Sequence, residues 1–265
     1  MGSSLLLNGP RFFEVRNKAR SRPAVTGQRA LCRIMGAVTC PMPRAGWSVL
    51  KRGEGLDGST RSERLQRVYA ARDNRELADS YDQWAQDYED DMLSLGYSLP
   101  AVAAGFVGRH VAPGGTVLDA GAGTGMFGSI LRVLGYEEIV GIDISERMLE
   151  LAGEKNAYRR LHRMVLGEPL EFGSDSFSAA VSVGVFTTNH APPEALDELL
   201  RVVKPGGWVI FSVRDDVYRN EGFEEKQASL EDDGRWRRVT MSEAFQPFPA
   251  GNTSHLNRLF VYKTE

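Results

Sequence analysis

Three glycines close a nine-residue run, Val117-Leu118-Asp119-Ala120-Gly121-Ala122-Gly123-Thr124-Gly125, in the order G-x-G-x-G. An apolar strand pattern leads into them and a helical pattern follows at once. Such a turn lets backbone approach a ligand closely and aims the free N–H groups of a helix N-terminus at it. At the carboxyl edge of parallel strands, this is where open α/β sheets bind ligands. The bland alternative is a tight strand-to-helix turn that holds nothing. Asp143 follows the next strand, 18 residues after Gly125. A carboxylate there can accept the protons of both ribose hydroxyls of a nucleoside, though alone it would as readily cap a helix.

The elements that must position these residues can be read from periodicity. Strand-like runs at 116–120, 138–142, 161–166, 177–183 and 208–213 alternate with helical runs at 125–134, 145–152 and 193–203. That alternation implies right-handed βαβ crossovers and an α/β, doubly wound, mostly parallel sheet with helices on both faces. Runs at 235–241 and 258–263 bring the strands to seven, and with little helix between them they read as an antiparallel C-terminal edge hairpin. Ahead of the first strand, Leu65, Val68, Tyr69 and Leu77 suggest one or two helices. Tyr81, Trp84, Ala85 and Tyr88 fall at i, i+3, i+4 and i+7, one face of a helix. The run from Leu99 to Val111 reads as a further helix, ended by Pro113-Gly114-Gly115.

Two residues at strand ends could do acid–base or charge work. His190, in Thr187-Thr188-Asn189-His190 after the fourth strand, could be a general base; it could equally cap a helix or bond a loop. Arg214, past the fifth strand, could meet an acidic substrate group or pair with Asp215 or Asp216. His110, His162 and His255 are scattered and suggest no metal site.

Charge divides the chain. Residues 1–53 hold ten basic residues and one acid, leaving 22 basic against 34 acidic residues beyond them, a balance of −12. A field of that sign repels phosphate backbones, so a nucleic-acid partner is disfavoured. No apolar run is long enough to span a membrane. The basic, acid-poor residues 1–60 read as a disordered leader, a transit peptide or the product of an upstream start, with 61–265 as the folded domain. Both cysteines, Cys32 and Cys40, lie in that leader. A body without thiols suits the cytoplasm, or an organelle if the leader is a transit peptide.

The glycine loop and Asp143 fit an NAD-dependent oxidoreductase or a methyltransferase. Three details favour the second: G-x-G-x-G spacing rather than G-x-G-x-x-G, Lys204-Pro205-Gly206-Gly207 before the fifth strand, and the reversed tail. Val117–Gly125, Gly141–Ser145, Phe177–Val183 and Leu199–Gly207 resemble the successive motifs of class I S-adenosylmethionine-dependent methyltransferases, with a Rossmann-like fold. More narrowly, Tyr81–Tyr88, Val183–Phe186 and Lys204–Gly207 resemble the Williams–Beuren syndrome chromosome region methyltransferase-like proteins. The likeness covers about residues 75–265.

That resemblance implies roles for matching positions. Gly121, Ala122, Gly123 and Gly125 would lie against the methionine part of S-adenosyl-L-methionine, and Asp143 would hold its ribose. Ile144 and Met148 would face the adenine; Val183 and Gly184 would lie near the methionine amino group. Tyr81 and Tyr88, before the first strand, would seal the cofactor, or else serve only helix packing. Relatives often carry an acid after the third strand that accepts the adenine amino group. Here Leu166 stands at that position, followed by Gly167 and Glu168, so Glu168 or a backbone carbonyl must take the role.

The expected reaction is an in-line methyl transfer, in which the protein chiefly aligns the reactants and excludes water. The stretch 214–249, with Tyr218, Phe223, Trp236, Phe245 and Phe248, could roof a pocket for a small-molecule methyl acceptor. A cofactor-binding protein without catalysis is the second expectation, and an NAD-dependent oxidoreductase the third. The pattern leaves the acceptor and the oligomeric state open.

Overall fold

A computed structural model of the chain describes residues 59–251 and 254–265. The leader reading, up to residue 58, falls outside the described residues. Two helices come first. A Thr60–Glu63 capping box starts α1 (Arg61–Tyr69), and the Asp73 carboxylate caps α2 (Asn74–Ser94). They are clasped by a buried cluster: Asp91 accepts from Arg64 Nε at 2.9 Å, Arg64 Nη2 at 2.6 Å and Trp84 Nε1 at 2.8 Å. A carboxylate so placed is tolerated in an apolar interface only because each strong donor nearby is aimed at it.

Helix α3 (Leu99–His110) leads into the sheet. The parallel strands are β1 (Val117–Ala120), β2 (Ile139–Asp143), β3 (Arg160–Arg163), β4 (Phe177–Phe186) and β5 (Val203–Arg214). Between them lie α4 (Met126–Val133), α5 (Glu146–Glu154) and α6 (Ala195–Val202), then α7 (Asp215–Asn220) and α8 (Phe223–Asp232). The chain ends in β6 (Trp236–Met241) and β7 (Asn257–Thr264). The order across the sheet is β3-β2-β1-β4-β5-β7-β6, with β7 antiparallel to both β5 and β6. The seven-stranded Rossmann-like sheet and its reversed edge pair match the expectation. Two buried clusters, one on each face, make the core.

Several boundaries moved, each for a physical reason. The third strand stops at Arg163, so Met164, Val165 and Leu166 leave the sheet. The fourth runs on to Phe186 across a break in register after Ser182, where Gly184 takes φ +76°. The Lys204–Gly207 turn is absorbed into β5 as another irregularity, with Gly206 at φ +73°. Irregularities of this kind re-aim a strand without ending it, which periodicity alone does not register. Helix α7 was not expected. Tyr218, Phe223 and Trp236, read as roof residues, instead fill the core beside β5 and β7, packed with Phe211, Phe260 and Tyr262. Phe245 packs on the opposite core cluster.

Candidate active site

The sheet order reverses between β1 and β4: α4 carries the chain from β1 toward β2, while β4 lies on the other side of β1. A crevice opens at such a point at the carboxyl ends of the strands. Here it is a crevice spanning about 730 Å³, open solvent included. The floor is the glycine loop. Gly121 and Ala122 N–H both bond the Ile142 carbonyl, at 2.8 and 2.9 Å, which folds the loop back over β2. Gly121, at φ +91°, allows no side chain, since a Cβ would come within 2.1 Å of Val185. Gly123, at φ +52°, faces open space. A side chain there would enter the cavity rather than strike protein.

Asp143 stands at the end of β2 beside this loop. Its carboxylate accepts from Gly123 N–H at 2.8 Å and from Ser145 N–H at 2.9 Å. Burial raises its pKa, while those N–H bonds favour the anion and oppose the shift. Ser145 caps α5 as expected, accepting from Met148 N–H at 3.1 Å. Its own hydroxyl donates to Asp82 of α2, at 2.5 Å. The helical segment before the sheet is thereby pinned to the turn after β2. Behind the loop, Asp119 is 1% exposed; Tyr158 hydroxyl donates to its Oδ2 at 2.7 Å. Burial pushes this carboxyl up to about 7, and its Oδ1 has no hydrogen-bond partner among the described residues.

Of the residues singled out from sequence, Tyr81, Tyr88, Gly121, Gly123, Asp143, Ile144, Met148, Val183, Gly184 and His190 all line this cavity. Four do not. Ala122 is buried beneath the loop, and Gly125 is the left-handed N-cap of α4, packed against Ala152 and Tyr158. Gly167 abuts Pro192, and Glu168 accepts from Asn74 Nδ2 at 3.3 Å outside the cavity wall. The wall on that side is Met164, Val165 and Leu166, which sequence reasoning had placed in a strand. Asn74, Leu77, Ile142, Val185 and Ala191 were also missed. Ile142 and Val185 adjoin singled-out residues, a signal that could have found them; Asn74 and Leu77 carry none.

Arg214 lies elsewhere, on a second cavity of about 630 Å³. Its guanidinium bonds Asp216 through Nε at 2.6 Å and Nη2 at 2.8 Å, and reaches the hydroxyls of Thr187 (3.1 Å) and Thr188. Of the two acids proposed as its partners, Asp216 is the one it pairs with. This clamp, with Asn189 Nδ2 donating to the Tyr69 carbonyl at 2.8 Å, fixes the loop that carries His190. The His190 ring is held at both nitrogens: Nδ1 faces the Thr188 carbonyl and Nε2 faces the Tyr81 hydroxyl, each at 2.8 Å. Burial lowers its pKa, a shift that the Arg214 charge increases.

The two cavities share three residues, Tyr81, Tyr88 and Gly184. Gly184 is pressed against Tyr97, whose hydroxyl would lie 2.5 Å from an added Cβ.

Fold and site together define a class I methyltransferase, and comparison with known proteins agrees. Residues 118–211 match the methyltransferase domain family. The chain is 34% identical to human methyltransferase-like protein 27 over 191 residues, covering 68% of this chain and 77% of that protein. It is 31% identical over 176 residues to 2-methyl-6-phytyl-1,4-hydroquinone methyltransferase from Synechocystis sp., covering 57% of this chain and 55% of that one. Among solved structures, a TehB-like SAM-dependent methyltransferase from Corynebacterium glutamicum shares the fold (TM-score 0.52, 18% identity, 70% of this chain and 98% of that chain). This chain belongs to the class I S-adenosylmethionine-dependent methyltransferases, the family that includes human methyltransferase-like protein 27. Its relatives include small-molecule and tRNA methyltransferases by name.

Proposed function

We propose that this methyltransferase acts on a small molecule that enters the second cavity and meets the cofactor at Tyr81, Tyr88 and Gly184. The observation that carries the reading is the junction itself: two cavities share a wall of three residues, Tyr81, Tyr88 and Gly184. The residues present fit S-adenosylmethionine in the first. Gly123 leaves room where a side chain would intrude, and Asp143 offers a carboxylate at the end of β2 for a ribose. Val183 and Gly184 would face the methionine end; Ile144, Met148 and Leu166 would supply apolar walls for the adenine.

When bound, the cofactor supplies an already electrophilic methyl group on sulfur. The chain's own work is to orient the acceptor and keep water out. Tyr81 and Tyr88 cover the junction from α2, and their burial raises both phenols well above the ordinary range, so both stay protonated and neutral. The net charge of −12 beyond residue 53 supports a small acceptor over a nucleic acid. Labelled methyl transfer into a fractionated extract tests the reading. Label is expected in the small-molecule fraction; label confined to RNA or protein would overturn it.

A further inference from the structure

The second cavity carries an aromatic set on its walls, beside the Tyr81 it shares with the first. Tyr69, Trp84, Tyr88, Tyr97 and Phe248 contribute rings. Tyr97 and Phe248 stack with centroids 4.9 Å apart, and Trp84 meets Tyr88 edge-on at 5.0 Å. The segment bearing Phe248 is tied down by Ser98 N–H to the Pro247 carbonyl (2.9 Å) and Ala250 N–H to the Leu95 carbonyl (3.0 Å). Ring faces and edges of this kind favour a planar apolar guest.

Charge narrows the guest further. No carboxylate lines the cavity among the described residues, so an ammonium group would have no counter-ion. Arg214 and the imidazole of His255 do line it, but Asp216, Thr187 and Thr188 already occupy the guanidinium, so an organic anion would have to displace Asp216 to reach it.

Hydrogen-bond direction supplies the last constraint. The Thr188 carbonyl can only accept, so His190 Nδ1 must carry the proton of the neutral ring. Nε2 then holds a lone pair, and the Tyr81 hydroxyl must donate to it. The oxygen of Tyr81, at the junction of the cavities, is left to accept. The chain of bonds therefore runs one way, from the junction through Tyr81 and His190 to the Thr188 carbonyl.

We infer that the second cavity is the acceptor subsite for a neutral, planar aromatic compound bearing a hydroxyl, which donates to Tyr81 and loses its proton along Tyr81 and His190. The inference rests on the methyltransferase reading above. The hydroxyl proton passes to the Tyr81 oxygen as Tyr81 passes its own to His190 Nε2. The freed oxygen pair forms the bond to the methyl carbon, and the pair of the broken carbon–sulfur bond stays on sulfur. Nothing is oxidised or reduced; His190 ends as the cation.

The test is calorimetric and uses the full chain saturated with S-adenosylhomocysteine. Four probes of one ring system are titrated: 2-naphthol, 2-methoxynaphthalene, 2-naphthoate and the ammonium form of 2-naphthylmethylamine. The naphthol is expected to bind at least about tenfold more tightly than the other three, as one buried hydrogen bond and one avoided charge penalty require. Tyr81→Phe should abolish its advantage over the methoxy probe. His190→Leu frees the Tyr81 proton to point into the cavity, so the methoxy probe should gain on the naphthol. Tightest binding of either charged probe, no binding by any probe, or an unchanged ratio in Tyr81→Phe would overturn the inference. If S-adenosylhomocysteine itself does not bind, the cofactor reading falls and takes this inference with it.

Discussion

The two cavities are built on opposite plans. The floor of the first is made by short local segments at the ends of neighbouring parallel strands, Gly121–Gly123, Asp143–Ile144 and Val183–Val185, with side chains of α2 and His190 closing it from above. The second gathers Leu65 and Tyr69 from α1, Trp84 and Tyr88 from α2, Tyr97 before α3 and Phe248 near the C-terminus. Those residues are held by packing and by a few buried polar bonds. The difference separates what can vary from what cannot. A backbone-built site tolerates few changes at its glycines, whereas a side-chain-built site can be reshaped while the sheet stays intact.

The largest expected effect lies on the side-chain-built cavity. Asp91→Ala removes the acceptor shared by Arg64 and Trp84 and leaves a 2%-exposed guanidinium without its main partner. Loss of one member of a buried pair costs about 3–5 kcal/mol, to be read by denaturant unfolding. At temperatures where the variant is folded, it should lose binding of 2-naphthol while keeping S-adenosylhomocysteine. Equal loss of both ligands would show that the two cavities are one unit.

Next come Gly123→Arg and Asp143→Ala. Each should weaken S-adenosylmethionine binding about 100-fold by calorimetry, the first by filling the cavity and the second by removing the ribose acceptor. Unchanged affinity in both would sink the cofactor assignment.

A smaller effect is tied to pH. Asp119 has its folded pKa raised to about 7, above its unfolded value, so its contribution is present in full at low pH and is lost as pH rises through about 7. Without ligand, the wild-type chain should therefore lose on the order of 2 kcal/mol between pH 5 and pH 8 from this group. Asp119→Asn should flatten that slope in thermal melts; an identical slope would show that Asp119 is not its source. Asp143 is shifted the same way, so S-adenosylmethionine affinity should fall on acidification sooner than an ordinary carboxylate would allow.

The smallest effect probes the shared wall. Gly184→Ala places a Cβ at φ +76° against the Tyr97 hydroxyl. The left-handed backbone costs about 1–2 kcal/mol, and both ligands should weaken together. An effect on one ligand alone would place Gly184 in one cavity rather than at the junction.

Much of the first cavity was legible because its determinants are local. The spacing of Gly121, Gly123 and Gly125 encodes a strand-to-helix turn, and Asp143 follows the next strand at a fixed remove. Even there, spacing could not say which glycine faces the ligand. Gly123 faces open space, whereas Gly125 packs against Ala152 on α5 and Tyr158 between α5 and β3, a contact made across the fold. The register breaks at Gly184 and Gly206 were equally hidden, because a strand that bulges keeps its apolar composition.

By itself, then, the sequence determined the sheet and its reversed edge, since turn chemistry and periodicity act over a few residues, and the resemblance of its motifs to a known family implied the methyl donor. Tertiary structure alone decided the rest. It drew Tyr81 of α2 to within hydrogen-bond reach of His190, 109 residues away, and turned Arg214 toward Asp216. It also sent Tyr218, Phe223 and Trp236 to the core while leaving Phe248 at the cavity. An aromatic side chain gains from burial in either place. Which place it takes is set by the packing of distant elements.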